Sequence, residues 1–274
     1  MFPLRCSVRG CQGSLERQDR SLRCPAGHTF DLAREGYFNL TQPQDRRSKN
    51  PGDSDTAVLA RQRWVQRGHM QGLVEAIKAI LAETSLAMAA APTIDLGCGE
   101  GSFGKAIFAD APEQFCGFDL SKRAVRLAAR HWPEANWVLA NADRVLPLAD
   151  QSVCRVISLF GRRPAGEIVR VLEDGGLCLI AVPGQDDLIE LREQVQLSGH
   201  RRSRTEAIIG ELTDAGLQLV EHRCWTHAER LDKDAIEDAL AMTYRAVRNS
   251  QNARLAEVDA MMVTLHADLL LLRK

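Results

Sequence analysis

The chain has 274 residues, 45% hydrophobic and 26% charged, enough for one large domain and a small companion. Its net charge of −1 argues against a general nucleic-acid binder, and no apolar run approaches the ~18 residues needed to cross a bilayer. The charge is unevenly placed: residues 1–70 carry 12 Lys/Arg against 7 Asp/Glu and the remainder 23 against 29, a basic front suited to an anionic partner.

At the front stand two pairs of soft ligands, Cys6 and Cys11 in RCSVRGCQG and Cys24 and His28 in CPAGH, with twelve residues between the pairs. Residues 1–34 hold too little apolar material for a core, so they need a metal or a neighbour to fold. The spacing meets that of a closed structural zinc site, which supplies folding energy and not chemistry. Cys98, Cys116, Cys154 and Cys178 fall in apolar or strand-like stretches and behave as small hydrophobes. MFPLRCSVRG has no apolar stretch of signal-peptide length. A cytoplasmic protein, binding metal in preference to forming disulfides, is expected.

Residues 41–56, TQPQDRRSKNPGDSDT, read as a polar linker broken by Pro43 and Pro51-Gly52. Arg46, Arg47 and Lys49 have no packing role there and are expected to contact phosphates. Helices are predicted over 55–67 and 71–84, the second with Leu73, Ile77, Ile80 and Leu81 on one face. From residue 92, strand candidates PTIDLG, QFCGFDL, NWVLAN, CRVISLF and LCLIAVP alternate with helical SFGKAIFADA, KRAVRLAARHW and RPAGEIVRVLE. That alternation predicts an α/β fold with a doubly wound, mostly parallel sheet. A second basic run, Arg201, Arg202 and Arg204, follows strand five. LQLVEHRCW and MMVTLHADLLLLRK then offer two edge strands, separated by a helix around Lys233–Met242.

The loop after the first of these strands is DLGCGEGSFG, residues 95–104. Gly97, Gly99 and Gly101 make a turn without side chains, so a ligand can approach the backbone, and the loop opens a helix. Asp95 precedes it and Glu100 sits within it. Asp119 closes the second strand, where an acid can accept both hydroxyls of an adenosine ribose. Asn141 and Asp143, after the third strand, are placed to meet an adenine edge.

These three features resemble the S-adenosylmethionine pocket of class I methyltransferases, whose fold would cover roughly residues 85–274. Strand four ends in SLFGRRP, not in the N-P-P-Y type of sequence associated with exocyclic amines. No cysteine sits in the Pro-Cys or Thr-Cys setting of C5-pyrimidine enzymes. Direct in-line transfer to a heteroatom remains, with a base where the acceptor carries a proton.

The paired ligands, then C-P-x-x-H-x-F-D-x-A-R-E-G-Y-x-N-L, then R-R-S-K-N-P-G-D and the methyltransferase body, resemble the bacterial 23S rRNA guanine-N1 methyltransferases along most of the chain. The resemblance implies a zinc-binding RNA-recognition domain over 1–36, a basic linker with helices over 37–84, and a methyltransferase domain over 85–274. It implies zinc on Cys6, Cys11, Cys24 and His28, donor contacts at Gly99, Glu100 and Asp119, 23S rRNA as partner, and a homodimer with a basic cleft. The chain departs from the family at Met70, where a tyrosine meets the donor, and at Asp187, where a histidine lies near it. The first knuckle is longer by two residues, and the segment from Phe160 to Arg163 differs too.

Guanine N1 keeps its proton at neutral pH and lies on the Watson–Crick edge, so the target must be unpaired or flipped. Phe160, ending strand four, is a candidate to stack on it, the alternative being a core residue. Asp187 is a candidate to receive the N1 proton or to orient the donor's amino group, the alternative being a solvated loop acid. The knuckle would hold RNA over the pocket. Two rival readings stand: a small-molecule methyltransferase, which leaves the knuckle unexplained, and an RNA binder or donor sensor without turnover, favoured by Met70 and Asp187.

Overall fold

Short, turn-rich segments at the front fold as an antiparallel sheet of β1 (Glu16–Gln18), β2 (Ser21–Arg23) and β3 (Thr29–Asp31). The computed structural model describes residues 2–43, 53–84, 91–195, 203–243 and 258–274. Arg46, Arg47, Lys49, Arg201 and Arg202 lie outside the described residues. The three strands bury Leu22 but have no core of their own. Phe2, Leu4, Leu15 and Leu22 instead join one apolar cluster with Ile94, Phe118 and Val156 of the main sheet. The expectation of a metal or a neighbour is met by a neighbour at least.

β4 (Phe38–Asn39) then enters the main sheet as an edge strand parallel to β7 (Asn136–Leu139). Two helices follow, α1 (Asp55–Gln66) and α2 (Gln71–Glu83), close to the predicted bounds. Ser54 caps α1 by accepting the Ala57 amide at 3.2 Å, satisfying one of the helix's free N-terminal donors. Leu73, Ile77 and Ile80 are fully buried on one face of α2.

The α/β body comprises β5 (Thr93–Leu96), α3 (Ser102–Phe108), β6 (Phe115–Asp119), α4 (Lys122–His131), β7, β8 (Val153–Leu159), α5 (Ala165–Val171) and β9 (Leu172–Pro183). Then come α6 (Ile189–Val195), α7 (Thr205–Asp214), β10 (Gln218–Asp232), α8 (Lys233–Thr243) and β11 (Ala260–Arg273). The eight-stranded sheet has the order β10-β11-β9-β8-β5-β6-β7-β4. β4 to β9 are parallel, and β10 and β11 pair antiparallel.

Strand order reverses between β5 and β8, so a crevice opens at their carboxyl ends, where open α/β sheets bind ligands. The tail adds two edge strands as predicted. β9 starts at Leu172, directly after α5 and five residues before the predicted LCLIAVP. Helices α6 and α7 occupy a stretch where the sequence predicts no element. Among the described residues, no helix is long and apolar enough to cross a membrane.

Candidate active site

A cavity of about 390 Å³ opens at the carboxyl ends of β5, β6, β7 and β8, within the range of small-molecule sites. It is floored by the glycine turn. Gly97, Gly99 and Gly101 have φ of 75°, 58° and 83°, the left-handed region open to glycine. A Cβ on Gly101 would stand 2.5 Å from the Trp137 ring, so this turn admits no larger residue. Asp119 pins the turn from the neighbouring strand: its Oδ2 accepts the Gly99 amide at 2.9 Å and its Oδ1 the Ser121 amide at 2.7 Å.

Two other carboxylates are stranded. Asp95 is 1% exposed and neither of its oxygens has a hydrogen-bond partner; Glu100 is 2% exposed and its Oε1 has none. Burial, then the nearby charges of Asp119 and Glu100, pushes Asp95 well above the usual carboxylate range. Burial also raises Asp119, against the two amides that favour its ionised form. Unpartnered buried carboxyls are costly, and a cationic ligand in the cavity would relieve them.

The cavity's own cations are paired with acids of the same wall. Arg61 of α1 holds Asp53 at 2.8 Å, and Arg162 clasps Asp143 with two nitrogens. Asp53, Arg61 and Arg162 line the cavity, and the sequence reading missed all three as site residues. For Arg61 the available signal was a cation on an otherwise packed helix face, too weak to act on.

Phe160 lies on the rim, 36% exposed, with φ of 59°, a strained conformation for a residue with a Cβ. Its amide donates to Ala181 and its ring lies 6.1 Å from that of Phe103. Gly161 behind it is obligatory: a Cβ there would sit 2.3 Å from the Leu96 carbonyl oxygen.

The structure brings Asp95, Gly97, Gly99, Glu100, Asp119, Asn141, Asp143 and Phe160 to one cavity, with Gly101 opening α3 beside it. Met70 and Asp187 are not among the lining residues. Met70 precedes α2 and packs against two apolar clusters. Asp187 Oδ1 accepts the His266 amide at 3.0 Å, joining the loop after β9 to β11, and burial raises its pKa to about 6. Arg204 is exposed at the start of α7.

At the front, the ligand atoms of Cys6, Cys11, Cys24 and His28 all lie within 4.8 Å of one another. A tetrahedral ion with Zn–S of about 2.3 Å and Zn–N of about 2.0 Å sets its ligands about 3.8 Å (S to S) and about 3.5 Å (S to N) apart. The observed separations are 3.7 Å for Cys11 to Cys24, 3.4 Å for Cys6 to His28 Nδ1 and 3.3 Å for Cys24 to His28 Nδ1. Three thiols and one imidazole in that geometry fit structural zinc. The domain docks beside the cavity's β7 loop, where the Arg5 amide donates to Pro147 at 2.9 Å and the Ala149 amide to Pro3 at 3.0 Å.

Comparison with known proteins agrees with both sites. Residues 4–49 match the family model described as "RlmA, N-terminal", and residues 94–176 match a methyltransferase domain. The chain is 34% identical over 242 residues, 87% of its length and 84% of the relative's, to the 23S rRNA (guanine(748)-N(1))-methyltransferase of Streptomyces fradiae. It is 30% identical over 97% of its length, and 95% of the relative's, to Bacillus subtilis YxjB, whose name assigns it provisionally to the same class. Among solved structures, the YcgJ protein of Bacillus subtilis shares the fold at 15% identity, with a TM-score of 0.50 over 68% of this chain and 92% of that one. A cavity with stranded carboxyls that suits the cationic methyl donor, a zinc ribbon docked at its rim, and these relatives along nearly the whole length place the chain in the family of 23S rRNA (guanine-N1)-methyltransferases.

Proposed function

We propose that this protein transfers the methyl group of S-adenosylmethionine to N1 of a guanine in a hairpin loop of 23S rRNA. The observation that carries the reading is the zinc ribbon docked on the loop after β7. Pro3, Arg5 and Ser7 contact Ala149, Pro147 and Arg144 beside the cavity. A metabolite enzyme would have no use for a ribbon there.

Bound S-adenosylmethionine supplies an electrophilic methyl group on its sulfonium. Asp95 and Glu100 would face its cationic side, Asp119 its ribose hydroxyls and Asn141 its adenine edge. Arg61 is the cation at hand for its carboxylate. Phe160 would stack on the extruded base and hold N1 in line. Transfer forms the N1–methyl bond and breaks the sulfur–methyl bond, leaving the electron pair on sulfur. The N1 proton must pass to a base. Asp187, at about 6, has a suitable range but stands outside the cavity wall.

Arg46, Arg47, Lys49, Arg201, Arg202 and Arg204 would meet RNA phosphates. The same reading includes a homodimer, supported by Leu219 and Val220 on edge strand β10, which are 39% and 49% exposed. The test is primer extension across unmodified 23S rRNA treated with protein and donor. A methyl on N1 blocks pairing, so a donor-dependent stop one nucleotide before a hairpin-loop guanine is expected. Measurable donor binding without any stop would sink the proposal.

A further inference from the structure

One polar cluster on β10 and β11 has no part in methyl transfer. His222 and Cys224 are two apart on β10 and so share a face of the sheet; Cys224 stands directly across from Asp268 of β11. His222 Nε2 lies 2.9 Å from Asp268 Oδ1, and Cys224 Sγ lies 3.2 Å from that oxygen and 3.8 Å from the imidazole. Asp268 is 6% exposed, and its other oxygen accepts from the hydroxyl of Thr205, itself 4% exposed, at 2.7 Å. This buried carboxylate is held by three side-chain partners, and its Oδ1 is turned to a thiol and an imidazole at the sheet surface.

We propose that His222, Cys224 and Asp268 form a second metal site, one that takes a zinc ion with water as fourth ligand. All three ligand atoms lie within 4.8 Å of one another. Tetrahedral zinc asks for N, S and O ligands roughly 3.3–3.6 Å apart. The three separations straddle that range, and small rotations of the two exposed side chains close the difference. Thr205 fixes the orientation of the ligating carboxylate, the role that outer hydrogen bonds play at metal centres. Thiolate beside imidazole selects zinc over magnesium or calcium, which prefer oxygen.

On binding, the Cys224 thiol loses the proton that it now donates to Asp268, neutral His222 ligates through Nε2, and one proton is released per ion. The ion would tie β10, β11 and the start of α7 together. It would sit apart from the methyl-transfer cavity, whose lining includes none of these residues.

The test is calorimetric titration of zinc into the full-length protein whose ribbon already holds zinc. A further binding event of one ion per chain is expected, with release of about one proton per ion near neutral pH. His222→Gln and Cys224→Ser should each weaken it at least about tenfold. Both positions are exposed, so the variants should fold, and unchanged ribbon zinc by mass spectrometry checks this. No second event in the parent, or an event unaffected by both substitutions, overturns the proposal.

Discussion

The Gly99 amide donates to Asp119 Oδ2 at 2.9 Å, so the acid that ends β6 also sets the turn that follows β5. Asp119 therefore has two tasks: it shapes the cavity and, in our reading, receives the ribose. Asp119→Ala should raise the donor Kd at least about tenfold by calorimetry. It should also cost about 1.5–3 kcal/mol of stability, because two backbone amides lose a charged acceptor. Donor binding unchanged in that variant would remove Asp119 from the site.

In the proposed mechanism Phe160 would offer the base a stacking surface, on a backbone that its own Cβ resists. Stacking on an aromatic side chain is worth about 1–3 kcal/mol per base. Phe160→Ala should lower kcat/KM for RNA by roughly 5- to 150-fold while Phe160→Tyr keeps most of it. Loss in both variants alike would point to a packing role against Phe103.

Asp187 connects pH to stability. Burial holds its folded pKa at about 6, above the value of about 3.9 in an unfolded chain. The native state thus binds the proton more tightly than the unfolded state. The contribution is fully present below about pH 4 and is lost as pH rises through about 6. With two pK units at stake, denaturant titrations of Asp187→Asn against the parent should show the variant gaining up to about 3 kcal/mol between those limits. Its kcat should stay within about threefold of the parent's; a collapse of kcat with unchanged donor affinity would instead make Asp187 the base.

Zinc should matter to RNA more than to the donor. The ribbon shares an apolar cluster with the sheet, yet its own strands lack a core. Cys24→Ser, or chelation, should lower Tm and reduce rRNA methylation more than about tenfold. Donor affinity should fall less, because the cavity walls belong to the larger sheet. Equal loss of both would mean that the ribbon supports the fold alone.

Arg46, Arg47 and Lys49 are tested by salt. If each neutralises one phosphate, replacing all three with Ala should reduce the slope of log K against log salt by roughly 2 to 3. An unchanged slope would mean that the basic linker does not touch RNA.

Local order in the sequence determined much of this protein. Two pairs of ligands, each within a few residues, define a metal knuckle because a short loop can bend only so far. Three glycines after an apolar strand define a bare turn, and periodic apolar residues define α2. None of these needs distant partners. Tertiary structure alone decided the rest.

Arg61 reaches the cavity only because α1 packs across Gly99, 38 positions away in sequence. Arg162 meets Asp143 only because β7 and β8 end at the same edge of the crevice. Phe38–Asn39 became a strand by borrowing β7's free edge, with no strand pattern of its own. Asp187 stands outside the cavity wall, with its carboxylate accepting the His266 amide of β11. His222, Cys224 and Asp268 look like three unrelated letters until the antiparallel register of β10 and β11 sets them on one face. Side-chain chemistry is written along the chain, but which side chains meet depends on hydrogen-bonded register and packing between segments far apart in it.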